Sequence, residues 1–190
     1  MNKKTKSDLI FWIVFGLIAA FLFLTPWGSN TRSWISSLFL SSPELSENNL
    51  QNSNKEILST DWNLEGIDGE NIWLSDTDKP IFINIWATWC GPCRSELPSI
   101  KSLHEKYKGR VTFLLVSPDE SIEVLNKFES KNEYQLPFYN AISYTPKELQ
   151  TNSYPTTIIL DADKNIIYKI TGAHDWDTED VHKIFNGLIN

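Results

Sequence analysis

Cysteine is almost absent: the 190 residues hold two, Cys90 and Cys93. Two cysteines three apart exclude a disulfide-stapled scaffold, because so short a loop removes little unfolded-state entropy. They also leave a structural zinc site two ligands short, and His104, His174 and His182 are too scattered to complete one. Positive charge is scarce as well, with 17 Lys and Arg against 24 Asp and Glu and a net charge of -7. Nucleic acid is thereby excluded as a partner, since phosphate binding draws on clustered Lys and Arg. The one basic cluster is Lys3, Lys4 and Lys6. There is no internal repeat, and with 41% hydrophobic residues the chain can fill one globular core.

Charge is missing altogether from Leu9 to Leu24, a run extended by Thr25, Pro26 and Trp27. That approaches the roughly 20 residues a helix needs to cross a bilayer. A cleaved signal peptide has a shorter apolar core and a small-x-small cleavage site; Phe-Leu-Thr-Pro-Trp offers a poor one. The expected organisation is a cytoplasmic tail over 1–8, a transmembrane anchor over 9–27, a linker over 28–56 and a folded domain over 57–190. The lysines ahead of the run place Met1 in the cytoplasm and the domain across the membrane. Within the linker, 34–40 is apolar but too short to span, and 41–55 is rich in Ser, Asn and Glu like a flexible tether.

In the domain, 61–64 and 71–74 flank a turn-rich stretch and predict a hairpin. Runs at 81–86 and 111–116 predict buried strands, and apolar spacing predicts helices over 95–107, ended by Gly109, and 121–131. A short strand over 136–141, a brief helix over 146–150, an antiparallel hairpin from 156–160 and 166–170, and a helix over 178–189 complete the order. This alternation predicts a mixed α/β sheet with helices on both faces.

The two cysteines lie where the 81–86 strand gives way to a helix, within Trp86-Ala-Thr-Trp89-Cys90-Gly-Pro-Cys93. At a helix start the Cys90 sulfur meets unpaired N–H groups and the positive end of the dipole, which favour thiolate. Cys93, one turn further in, is more shielded. Gly91 allows close backbone approach, and Pro92 has no N–H to leave unsatisfied. The pattern predicts dithiol–disulfide exchange, with Cys90 attacking and Cys93 resolving.

Trp89-Cys-Gly-Pro-Cys93, Pro98 and Tyr154-Pro155-Thr156 resemble the thioredoxin superfamily. The stretch Ile83-Asn-Ile-Trp-Ala-Thr-Trp-Cys-Gly-Pro-Cys-Arg-Ser-Glu-Leu-Pro98 is similar to its membrane-anchored TlpA, ResA and CcmG group. The resemblance implies a thioredoxin fold with an N-terminal β-hairpin extension, preceded here by one transmembrane helix. It implies a cis Tyr154–Pro155 bond beside the active site, with the Tyr154 backbone left to pair with substrate. Trp89, Gly91, Pro92, Tyr154 and Pro155 would form the surface that substrate meets, with Trp86 in the core. Thioredoxin's buried aspartate is replaced by Asn84, as in the anchored group, and Glu96 matches that group's glutamate. One turn from Cys93, Glu96 would move protons to and from the cysteine pair; without the resemblance it reads as a solvated helix residue.

The implied activity is reduction of protein disulfides by a single-pass protein of a bacterial inner membrane, its catalytic domain in the periplasm and with no cofactor. The implied partners are protein disulfides, apocytochrome c among them as in cytochrome c maturation, and a membrane thiol donor of the DsbD or CcdA kind. The alternatives are an oxidant that introduces disulfides and a non-catalytic or copper-handling thioredoxin-like binding module. Copper carriers of this fold generally use Cys-x-x-x-Cys with a histidine; this chain has neither that spacing nor a histidine placed to match.

Overall fold

The computed structural model describes residues 3–24, 40–43 and 61–189, and the chain divides into two compact units, Met1–Phe39 and Leu40–Asn190. In the first unit, α1 (Lys3–Leu24) is an unbroken helix of 22 residues. Its large apolar side chains from Ile10 to Ile18 are all exposed, 48% at Val14 to 66% at Trp12. Among the described residues no helix is long and apolar enough to cross a membrane. Side chains of α1 are described only at 8, 10–18 and 20, so part of the anchor expected over 9–27 lies outside them. Of the expected linker, 28–39 and 44–56 lie outside the described residues too. Residues 40–43 belong with the second unit, where the Ser41 carbonyl accepts the Asp175 N–H at 3.0 Å and Pro43 is buried.

Seven strands build the second unit: β1 (Asn63–Gly66), β2 (Asn71–Trp73), β3 (Ile81–Ile85), β4 (Thr112–Ser117), β5 (Phe138–Ala141), β6 (Thr156–Leu160) and β7 (Ile166–Thr171). They form one sheet in the order β2-β1-β5-β4-β3-β6-β7. β3, β4 and β5 are parallel, whereas β6 lies antiparallel to β3 and to β7, and β1 antiparallel to β5 and to β2. Every residue of β3 and β6 is buried. Strands covered on both faces read as continuous apolar runs, which is why the sequence marks them so clearly. The predicted N-terminal hairpin is β1–β2, turning through Gly69 at φ 85°.

Three helices pack on this sheet: α2 (Gly91–Tyr107), α3 (Ile122–Asn132) and α4 (Glu179–Ile189). Alternation along β3 sends Phe82 and Trp86 to one core with Leu97 and Ile100 of α2, Phe128 of α3 and Phe185 of α4. Ile81, Ile83 and Ile85 point into a second core with Trp62, Leu74 and Leu149. Helices on both faces were expected; instead, all three bury their apolar side chains in the first core. The reason is topological. The crossovers β3-α2-β4 and β4-α3-β5 step the same way along the sheet, and right-handed connections stepping the same way put their helices on the same face. The helix expected over 146–150 shrinks to the single turn Lys147–Leu149, which helps cover the opposite face.

Candidate functional site

β3 runs into the buried Trp86 and Ala87, and the chain then turns through Thr88 and Trp89 into α2. Cys90 is the N-cap of that helix. Its N–H donates to the Ala87 carbonyl at 3.1 Å, and its Sγ accepts the Cys93 N–H at 3.2 Å. A sulfur thus does what a Ser or Asp oxygen does at other helix starts, satisfying one of the first turn's orphan donors. Helix formation begins four residues before the apolar spacing reveals it, because Gly91 and Pro92 carry no periodic signal. Cys90 and Cys93 are joined, S–S 2.07 Å and Cα–Cα 5.3 Å.

The two sulfurs are not equivalent. Cys93 is 0% exposed and Cys90 5%, and of the pair only Cys90 lines an open cleft of about 710 Å3. Trp89, Gly91 and Pro92 form its near wall, and Asp119, Thr151, Asn152 and Tyr154 its far wall. Trp89 is 71% exposed, an unusual state for so large an apolar side chain. Its ring centroid lies 6.0 Å from that of Tyr154. The Tyr154–Pro155 bond is cis. The Tyr154 hydroxyl donates to Asp119 Oδ2 at 2.5 Å, and partial burial, then this bond to a carboxylate, holds the phenol well above its usual value. Next to Asp119, Glu120 ties the loop after β4 to the turn before Cys90. It accepts the Thr88 N–H at 2.7 Å and the hydroxyls of Thr88 and Ser117.

Behind the disulfide lies a buried carboxyl. Glu96, on α2, is 0% exposed. Its Oε1 accepts Asn84 Nδ2 at 2.8 Å; its Oε2 accepts Trp176 Nε1 at 2.8 Å and the His174 N–H at 3.1 Å. Asn84 Nδ2 also donates to Thr157 Oγ1 at 2.9 Å, which fixes the amide orientation. Burial raises the Glu96 carboxyl from 4.5 to about 7, against the three donors that favour its ionised form. The carboxyl therefore changes charge near neutrality in a site closed to solvent.

Of the residues singled out from sequence, Trp89, Cys90, Gly91, Pro92 and Tyr154 gather around the cleft. Pro155 follows, immediately before β6, and Cys93 and Glu96 sit behind. Sequence reasoning missed Asp119, Thr151 and Asn152, and the contribution of Trp176 and His174 to the Glu96 site. The Trp176 and His174 contacts cross 80 and 78 residues of chain, beyond any local pattern. Among the described residues no three His, Cys, Asp or Glu side chains are grouped to hold a metal ion.

Thiol-disulfide oxidoreductase ResA of Bacillus cereus is 34% identical over 111 residues, 56% of this chain and 63% of its own. Thioredoxin-like protein YneN of Bacillus subtilis (strain 168) is 32% identical over 114 residues, 58% of this chain and 66% of its own. The chain thus spans just under two thirds of the length of these curated relatives. A crystal structure from Chlorobium tepidum, described as a candidate thiol:disulfide interchange protein DsbE, matches with a TM-score of 0.61 at 23% identity. It covers 72% of this chain and 99% of that one, a likeness of fold. With a strand feeding a Cys-x-x-Cys helix cap and a cis-proline beside it, the second unit has the thioredoxin-like architecture, and its match to the Redoxin family over residues 52–188 shows that the chain belongs to that family.

Proposed function

We propose that this chain is a thiol–disulfide oxidoreductase that reduces disulfides in proteins and is held at the outer face of a bacterial inner membrane by its first helix. The observation that carries the reading is the asymmetry of the pair: one sulfur caps a helix and faces an open cleft, and its neighbour is sealed behind it. In the dithiol form, the Cys93 N–H and the positive end of α2 stabilise a Cys90 thiolate. That thiolate attacks a substrate disulfide, forms a mixed disulfide and expels one substrate thiolate. Cys93 then attacks the Cys90 sulfur, releases the second substrate thiolate and closes the Cys90–Cys93 bond, so the substrate gains two electrons. Glu96, one helical turn from Cys93 and poised near 7, takes the proton Cys93 sheds.

Tyr154 lines the cleft together with Cys90, which supports substrate pairing along the Tyr154 backbone. A charge-free run from Leu9 to Leu24 behind three lysines supports the anchor and its orientation. The similarity to the ResA and CcmG group points to apocytochrome c as substrate and a DsbD- or CcdA-type membrane donor as reductant.

Replacing Cys93 with Ser removes the resolving thiol and should leave substrate bonded to Cys90. Isolation of that adduct from membranes, with reductive release of the attached protein, is the expected result. A c-type apocytochrome among the released proteins would confirm the substrate class; absence of any thiol-releasable protein would favour a binding module.

A further inference from the structure

The cleft does not end at Cys90. A second hollow of about 360 Å3 adjoins it, bounded by Tyr144, Thr145 and Gln150, and the two share Asp119, Thr151, Asn152 and Tyr154. The hydrogen bond from Tyr154 to Asp119 therefore lies on the wall common to both. Among the described residues Asp119 is the only charged one lining either hollow, and no Lys or Arg lines them. Its carboxylate is exposed and, among the described residues, takes part in no salt bridge. With Oδ2 engaged by the phenol, the group is fixed in orientation and keeps acceptor capacity on Oδ1. Tyr144, 81% exposed, presents an aromatic ring at the edge of the second hollow.

Resting on the reductase reading above, we propose that Asp119 is a specificity-determining residue, its carboxylate taking the cationic side chain of a Lys or Arg that flanks the substrate cysteine. A substrate segment whose sulfur reaches Cys90 must run past this wall, because it bounds the same cleft. An ammonium or guanidinium there meets a pre-oriented carboxylate, with an aromatic face beside it suited to a cation. A flanking Asp or Glu meets like charge, with no compensating base among the described residues that line either hollow. The chain's net charge of -7 acts in the same direction at longer range.

The test uses the full chain in detergent, reduced beforehand, and three peptides with an internal disulfide that differ only in a Lys, Gln or Glu beside one cysteine. In the wild type kcat/KM should favour the Lys peptide over the Glu peptide by about fivefold, what one partly exposed ion pair supplies, and the ratio should shrink as salt rises. Asp119→Asn should bring the ratio close to one, and Asp119→Glu should restore much of it. A merely structural role for Asp119 would change absolute rates without changing the ratio. Equal rates in the wild type, or a ratio that survives in Asp119→Asn, would overturn the proposal and leave the reductase reading standing. Failure to reduce any of the three peptides would remove the reductase reading and this proposal with it.

Discussion

Cys90→Ser should lower reduction of a protein disulfide such as that of insulin to the uncatalysed background, a loss of about a thousandfold or more. The nucleophile is lost, and no second thiol exists at the cleft, since Cys93 is 0% exposed and the chain holds no other cysteine. Stability should change little, because the disulfide closes a loop three residues long and constrains few unfolded conformations. A serine oxygen can still accept the Cys93 N–H and cap α2. The expected pattern is therefore a melting temperature lowered by no more than a few degrees, with abolished turnover. Loss of both together would mean that the pair acts as a staple. Measurable activity in Cys90→Ser would mean that Cys93 is reachable and that the roles assigned to the two sulfurs are wrong.

Glu96→Ala should destabilise the fold by about 3–5 kcal/mol, the scale expected when a buried polar network loses its central acceptor. Three donors would be stranded: Asn84 Nδ2, Trp176 Nε1 and the His174 N–H. Two of them belong to the segment ahead of α4, so loosening should spread there first. The same group gives stability a pH slope. Its carboxyl titrates near 7 when folded against 4.5 when unfolded, so the native state binds the proton more tightly. That contribution is complete below about pH 4.5 and disappears as pH climbs through about 7, a span worth at most about 3 kcal/mol. Unfolding of the oxidised full chain should become easier between pH 5 and 8, and Glu96→Gln, which does not titrate, should flatten that trend. A wild-type curve already flat over this range would contradict the burial-driven shift.

The order of strands and helices in the second unit was legible because each buried strand is a short apolar run bounded by turn residues. Ile81–Ile85 and Thr156–Leu160 are the clearest cases. The site was legible where chemistry depends on local spacing, as with Cys90 and Cys93. What stayed hidden depends on tertiary placement. Nothing local to Glu96 distinguishes it from a solvated helix residue; its burial follows from Trp176, which arrives from the loop before α4. Asp119 follows β4 in a Pro-Asp-Glu turn that reads as ordinary polar loop. It gains meaning only because Tyr154, 35 residues on, reaches back to it. Helix placement was misjudged for a similar reason: periodicity says that Ile122–Asn132 is amphipathic, while the face it covers is set by where β5 joins the sheet beside β4.

The central claim is that Cys90, capping α2 at the cleft, is the reactive thiolate and Cys93 its shielded partner. Brief alkylation of the reduced full chain with iodoacetamide at neutral pH, followed by mass-spectrometric mapping, tests it most directly. Cys90 should be modified at least about tenfold faster than Cys93, and faster than the thiol of an unstructured peptide. Equal labelling of the two cysteines, or preferential labelling of Cys93, would contradict it.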